Sequence, residues 1–181
     1  VYTLLCSHTD GYLSGEEICQ QLGISRTAVW KAVDALRKEG YTIEAQSGQG
    51  YRLSAKPERL CEREIRSYLP PTERVGGTIL CFETLDSTNT YCRQNENLPD
   101  GTVVVAVQQT AGKGRMGRSF QSTDAGVFLS LLIKPDLPPT AVMSVTALCG
   151  VAVCNAIEAV CGIRPQIKWT NDIVLNRKKI C

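Results

Sequence analysis

The chain has 181 residues, 43% hydrophobic and 21% charged, the balance of a soluble globular protein of one or two domains. Its 20 Lys and Arg against 18 Asp and Glu leave a net charge of +2, which excludes a strongly basic protein held to nucleic acid by bulk charge alone. At the start no charged segment leads into an apolar one, so no signal peptide is read there.

The first elements carry clear punctuation. Ser14 followed three residues later by Glu17 is a capping box, Ile18 and Leu22 recur at helical spacing, and Gly23 closes that helix. Ser25 caps a second helix whose buried stripe is Val29, Val33 and Leu36, ended by Gly40. Two β-like runs, "YTIEA" and "GYRL", follow around Gln46-Ser47-Gly48-Gln49-Gly50, a hairpin signal. Helix, turn, helix, hairpin is the order of a winged helix-turn-helix. Its second helix would present Ser25, Arg26, Thr27, Trp30 and Lys31 to a DNA major groove, with Trp30 expected to sit partly in the core. Charge does not distinguish this from a protein-binding module. Residues 1–54 hold Arg26, Lys31, Arg37, Lys38 and Arg52 against Asp10, Glu16, Glu17, Asp34, Glu39 and Glu44, a net −1.

Lys56-Pro57, Pro70-Pro71 and Gly76-Gly77 break the pattern, with a short helix expected over roughly 58–68. We therefore place a DNA-binding domain at 1–54, a linker at 55–75 and a second domain at 76–181. There "TILCFETL" reads as a strand, "DSTNTYCRQNE" as a helix capped by Asp86 or Ser87, and "TVVVAVQQ" as a strand buried on both faces. "GVFLSLLIKP" is another strand. The stretch 141–160 reads as a helix apolar nearly all round and hence central and buried. Its Ser144, Thr146, Asn155 and Glu158 read as too polar for a membrane span. "RPQIKWTNDIVLNRKKIC" reads as a strand, a turn at Asn176-Arg177-Lys178 and a return strand, with Trp169 expected in the core.

Between two of these strands lies "QQTAGKGRMGRSF", residues 108–120, where Gly112, Gly114 and Gly117 alternate with Lys113, Arg115 and Arg118. Lys113 is followed by Gly114, not Ser or Thr, so the run is no P-loop. Its glycine spacing matches a dinucleotide fingerprint, but a strand follows where that motif needs a helix. What remains is physical. Glycines let backbone N–H groups approach an anion, and the interleaved cations add charge and forked donors. An anionic ligand is expected here, against the plainer reading of a solvated loop.

Cysteines stand at nine scattered positions with no CxxC pair, and His8 is the single histidine. Free thiols in a reducing cytosol are expected, hence a cytoplasmic location, with no disulfide framework and no zinc site.

The glycine-basic stretch resembles the signature of the biotin–protein ligases. "DSTN" (86–89) is similar to the family's Ser-Thr-Asn element. "KWTND" (168–172) resembles its Lys-Trp-Pro-Asn-Asp element, with Thr170 where Pro is usual, and "RKKIC" (177–181) resembles the Lys hairpin that follows. The N-terminal winged helix resembles that of the bifunctional members, which also repress biotin operons. The resemblance covers nearly the whole chain and implies an α+β fold: a winged helix-turn-helix, then a mixed-sheet, class II synthetase-like ligase domain.

The resemblance also implies an activity. The substrates would be biotin and ATP with Mg²⁺, the product biotinyl-5′-adenylate, and the acceptor a lysine of a biotin carboxyl carrier protein. Ser87, Thr88, Asn89 and Gln109 would take the biotin side, with Lys113, Gly114, Arg115 and Lys179 on its carboxylate and then the phosphate. Gly112, Gly117, Arg118, Phe120, Lys168, Asn171 and Asp172 would serve the adenylate. Arg115 and Lys179 would carry the catalytic charge, and no structural metal is implied. Operator DNA and a homodimer formed with the adenylate complete the set, with no membrane partner.

Several alternatives stand beside these roles. Ser87 would otherwise only cap a helix, Asp172 only a turn, and the protein as a whole would be a ligand-sensing repressor without ligase activity. Lys113 stands where Arg is common, keeping the charge but losing the fork. The chain starts at Val1 without a Met and stops at Cys181 within a strand-like pattern, so both ends read as cut; the family continues past a glycine soon after the Lys hairpin, so the catalyst reads as incomplete.

Overall fold

The computed structural model describes residues 1–8, 11–57, 59–70, 74–114, 118–123 and 126–181. It forms two compact units, Val1–Ile133 and Lys134–Cys181, each described by itself.

The first unit opens with a helix absent from the sequence expectations, α1 (Tyr2–Ser7), then α2 (Gly15–Leu22), α3 (Arg26–Lys38) and the hairpin β1 (Thr42–Gln46) and β2 (Gly50–Ala55). The capping box forms as written: Ser14 accepts from the Glu17 N–H at 3.1 Å and Glu17 accepts from the Ser14 N–H at 3.0 Å. Gly23 is left-handed at the C-cap, and the Ser25 hydroxyl accepts from the Ala28 N–H at 3.2 Å. One face of each helix packs with the hairpin into a core of Tyr2, Leu5, Leu13, Ile18, Val29, Val33, Leu36, Tyr41 and Ile43. Gly50 is obligatory for that closure. Its φ is +119°, and a Cβ there would lie 2.1 Å from the Leu13 carbonyl oxygen.

Helix α4 (Glu62–Ser67) follows, shorter than the 58–68 expected. It is held by charge and hydroxyl groups more than by apolar packing, and none of its residues is buried. Glu64 accepts from Tyr2, from Tyr41 at 3.0 Å and from Lys56 at 3.0 Å, while Arg63 forks onto Glu39 at 2.9 and 3.0 Å.

The rest of the unit is a three-stranded sheet in the order β3-β4-β5, from β3 (Ile79–Leu85), β4 (Thr102–Gln109) and β5 (Phe128–Leu132), with α5 (Thr88–Gln94) crossing between the first two. β3 and β4 are parallel and β4 and β5 antiparallel, so the sheet is mixed. β4 is central, which is why Thr102, Val104, Val105 and Ala106 are buried in near-unbroken sequence.

The second unit holds a 3₁₀ turn (Pro139–Ala141), α6 (Val142–Cys161) and an antiparallel sheet of β6 (Gln166–Lys168), β7 (Asp172–Leu175) and β8 (Lys178–Lys179). Two expectations are corrected here. α6 is not a buried central helix, since Met143, Leu148, Val151 and Val160 are exposed and only Gly150 and Cys154 are buried among its described side chains. Within its own unit β6 and β7 pack against α6, strands of three and four residues beside a helix of 20 that runs about 30 Å, so they cover only a fraction of it. By length and composition Met143–Cys161 is also apolar enough to cross a membrane, despite its polar residues, a property it shares with helices of protein cores. Trp169, expected in the core, is 73% exposed, because the 166–175 run is not one strand but two, and Trp169-Thr170-Asn171 forms the turn between them. The next turn uses Asn176 and Arg177 at φ 49° and 63°, the paired left-handed geometry of a tight hairpin.

Candidate active site

The parallel pairing of β3 and β4 continues past the strand ends. The Thr110 N–H donates to the Leu85 carbonyl at 2.9 Å and the Ala111 N–H to the Asp86 carbonyl at 2.8 Å. This zips the start of the glycine-basic stretch to the DSTN element, two segments more than twenty residues apart in sequence, at the carboxyl ends of two parallel strands. Ligands bind at such ends because loops and helix starts converge there without blocking the strands.

Ser87 is fully buried and its hydroxyl accepts from the Thr90 N–H at 3.4 Å, so in this structure it caps α5. Thr88 is also buried, and Asn89 beside it is exposed. Gln109, at the last position of β4, closes the cluster. Its Oε1 accepts from the Thr88 N–H at 2.8 Å and from the Thr88 hydroxyl at 3.2 Å, and its Nε2 donates to Ser122 Oγ at 3.2 Å. Ser130 on β5 donates to Thr88 Oγ1 at 2.9 Å. Ser122 and Ser130 were not anticipated. Ser130 left a faint signal as the one polar residue of "FLSLL"; Ser122 left none, since its role depends on a loop folding back.

The glycine-basic stretch does fold back. Lys113 bridges Ser119, the Gly114 N–H donates to the Arg118 carbonyl at 2.7 Å, and the Phe120 N–H donates to the Gly112 carbonyl at 2.9 Å. Gly112 sits where nothing larger fits: a Cβ would lie 2.8 Å from the Phe120 oxygen, 2.9 Å from Ser122 Oγ and 3.1 Å from Gln109 Nε2. Lys113 and Arg118 are exposed, and Phe120 is half-exposed with its ring edge-on to Phe128 at 6.4 Å. Arg115 and Gly117 lie outside the described residues. In the second unit, Lys179 Nζ donates to Asp172 Oδ1 at 2.6 Å, and Asn171 precedes Asp172 in the turn after Lys168. Among the described residues no three His, Cys, Asp or Glu side chains gather as a metal site. Burial pushes the Cys81 and Cys92 thiols up, which keeps them protonated and poor nucleophiles. Among the described residues the arrangement suits binding and polarising a ligand.

A model of the biotin/lipoate A/B protein ligase family matches residues 81–181, more than half of the chain and all of the cluster just described. The chain belongs to this family. A helix-turn-helix domain model matches residues 1–52, the winged-helix part. The bifunctional ligase/repressor BirA of Bacillus subtilis is 47% identical over 171 residues, covering 93% of this chain and 52% of that protein. BirA of Escherichia coli is 29% identical over 92% of this chain and 51% of its own length. This member of the family thus spans about half the length of the curated relatives it matches. Among solved structures, the biotin protein ligase of Aquifex aeolicus in complex with biotin and ATP superposes with a TM-score of 0.50 at 30% identity, covering 57% of this chain and 44% of that one. The biotin protein ligase of Leishmania major in complex with biotin gives 0.52 at 27% identity, over 62% and 50%.

Proposed function

We propose that this chain carries the biotin-binding and DNA-reading parts of a bifunctional biotin–protein ligase and biotin operon repressor, with a winged helix over 1–54, a linker over 55–75 and a ligase domain from 76 onward. The observation that carries the reading is the Thr88–Gln109–Ser122 cluster, zipped by main-chain bonds to the glycine-basic hairpin. A polar ring system at Thr88 and Gln109 and an anion at Lys113, Gly114 and the following Arg115 are the two ends of one carboxylated ligand.

The chemistry balances without a protein nucleophile. A biotin carboxylate oxygen attacks the α-phosphorus of ATP, the bond to the β-phosphate breaks, and pyrophosphate leaves. The amine of a lysine on a biotin carboxyl carrier protein then attacks the acyl carbon of biotinyl-5′-adenylate, an amide forms, and AMP departs as the amine loses its proton. Lys113, Arg115 and Lys179 would offset the negative charge that builds on the phosphate, and Phe120 would meet the adenine. Ser87 and Asn89 would border the biotin ring, and Gly112, Gly117, Arg118 and Lys168 the nucleotide. Mg²⁺ would arrive on the ATP phosphates, since it keeps most of its ligands as water and phosphate oxygen, with Asn171 and Asp172 as the polar groups to face it.

The winged helix would present the exposed Arg26, Thr27, Trp30 and Lys31 to operator DNA, while Ser25 caps the reading helix. One such helix reads one half-site, which favours a homodimer formed with the adenylate, in the bacterial cytoplasm. The test is pyrophosphate release from ATP and biotin by the protein as it occurs in the cell, followed by labelling of a carboxyl carrier. Release with labelling is expected. Tight biotin binding without either would make the protein a sensing repressor instead, and no biotin binding would end the reading.

A further inference from the structure

Within the first unit, the chain between the β1-β2 hairpin and the β3-β4-β5 sheet is no free tether. Its residues 59–66 grip the carboxyl end of α3. Arg59 donates to the Glu39 carbonyl at 2.8 Å, and Arg63 forks onto the Glu39 carboxylate at 2.9 and 3.0 Å, Glu39 being the C-cap residue of α3. A carbonyl at a helix end needs a donor, and a forked guanidinium fixes direction as well as charge. Next to Arg63, Glu64 gathers Tyr2 from α1, Tyr41 from the entry to β1 and Lys56 from the exit of β2. Lys56 and Arg63 also stand over the Tyr2 ring, 5.5 and 5.7 Å from its centroid.

The same short helix is tied to the sheet. α4 packs against β3, and Arg66 Nη2 donates to the Gly77 carbonyl at 3.2 Å, just before β3 begins. Leu69 closes on Gly76, where a Cβ would lie 2.7 Å from Leu69 Cδ1, and the Gly76 N–H donates to the Gly101 carbonyl at 2.8 Å, just before β4. α4 thus stands at the amino ends of β3 and β4. The candidate site stands at their carboxyl ends, about 20 Å away along a strand of seven residues. No residue of α4 is buried, so no apolar packing takes over when its polar ties are cut.

We propose that Arg63 and Glu64 are positioning residues that make α4 a rigid strut, fixing the direction of α3 relative to the sheet and so the spacing of two operator half-sites that the protein accepts. This rests on the reading of α3 as the helix that meets operator DNA in a dimer. On that reading, two copies joined outside the helix-turn-helix part place the second α3 by the angle between α3 and the sheet. A helix in a groove must follow the turn of the duplex, so a fixed angle fits one half-site separation. A free tether would let each α3 find its half-site at many separations.

The first measurement needs no DNA. In the protein as it occurs in the cell, backbone amide relaxation by NMR should give α2, α3 and the hairpin the same tumbling time as β3 and β4. In the double variant Arg63→Ala, Glu64→Ala the helix-turn-helix part should tumble faster than the sheet. Independent tumbling in the wild type, or common tumbling in the double variant, overturns the strut.

Operator binding with biotin and ATP present is then measured at fixed salt. The duplexes hold one half-site, two at the native spacing, or two moved apart by about five base pairs, half a helical turn. The wild type should prefer the native to the shifted spacing by roughly tenfold or more, and the double variant by less than about threefold, with single half-site affinity kept within about twofold. Glu39→Gln cuts the fork at a partly exposed residue outside the core and should shift the preference the same way, to a smaller extent. An unchanged preference in both variants, or an equal loss on one and two half-sites in both, overturns the proposal while the operator reading stands. A wild type that binds none of the duplexes defeats the operator reading and the spacing role with it, while the tumbling times still decide whether α4 is a strut.

Discussion

The Glu64 carboxylate on α4 accepts a hydrogen bond from the Tyr41 hydroxyl at 3.0 Å, joining α4 to the residue that leads into β1. Tyr2 and Lys56 donate to the same carboxylate, whose side chain is only 16% exposed. Three donors converging on one sheltered anion make Glu64 the peg of this joint. Glu64→Ala should cost roughly 1–3 kcal/mol of stability in urea unfolding, the penalty of leaving buried polar partners unmet. Unchanged stability would show that the peg holds nothing.

The same cluster sets a pH dependence. Burial desolvates Glu64 and pushes its carboxyl up, but the donors Tyr2, Lys56 and Tyr41 together outweigh it and hold the group below its ordinary value of 4.5. A carboxyl depressed on folding binds fewer protons in the native state. Its stabilisation is therefore present above about pH 4.5 and lost as pH falls through the native value. Unfolding free energies followed downward from about pH 6 should fall more steeply in the wild type than in Glu64→Gln, which cannot titrate there. Parallel curves would remove Glu64 from the acid response.

Gly112 is the tightest point of the candidate site. A methyl group there meets the Phe120 oxygen at 2.8 Å and Ser122 Oγ at 2.9 Å. Gly112→Ala should force the hairpin away from Gln109 at a cost of about 1–3 kcal/mol, weakening biotin binding roughly tenfold or more. Titration of the variant with biotin checks it, and full affinity would mean the hairpin does not line the ligand.

Lys179 is held by Asp172 at 2.6 Å. If it serves the adenylate phosphate, Lys179→Ala should reduce the rate of pyrophosphate release by roughly 10²–10³, the effect of removing one preorganised donor, with biotin binding much less affected. Loss of less than about tenfold would restrict Lys179 to its ion pair.

On α3, Arg26 is engaged by Glu16 at 3.0 Å, both side chains well exposed, and the following outcomes are expected if this helix reads operator DNA. Glu16→Gln should free Arg26 and tighten operator binding up to about fivefold at fixed salt, within the worth of a surface pair. Lys31→Ala should lower the salt slope of binding by about one. Trp30, 56% exposed and so half-covered as its sequence context implied, should tolerate Ala within about 1 kcal/mol of stability while losing DNA affinity. Filter binding across salt concentrations reads all three.

What this sequence determined by itself is what a few neighbouring residues can settle. The Ser14–Glu17 box, the Ser25 cap, the left-handed Gly23 and the hairpin around Gly48 each satisfy backbone groups within one turn, so the residues that form them lie side by side in the chain. The unbroken apolar run of β4 marked a central strand for the same reason, and the strand after the glycine-basic stretch excluded a dinucleotide fold. Tertiary structure alone decided the rest. Gln109 reaches Thr88 only because a crossover brings two parallel strands into register, and Ser122 and Ser130 enter only when the loop returns along β5. Glu64 finds Tyr2 across 62 residues. The exposed faces of α6 and Trp169 show the converse: an apolar residue expresses a demand for cover, and whether neighbours exist to supply it depends on how far the surrounding strands extend.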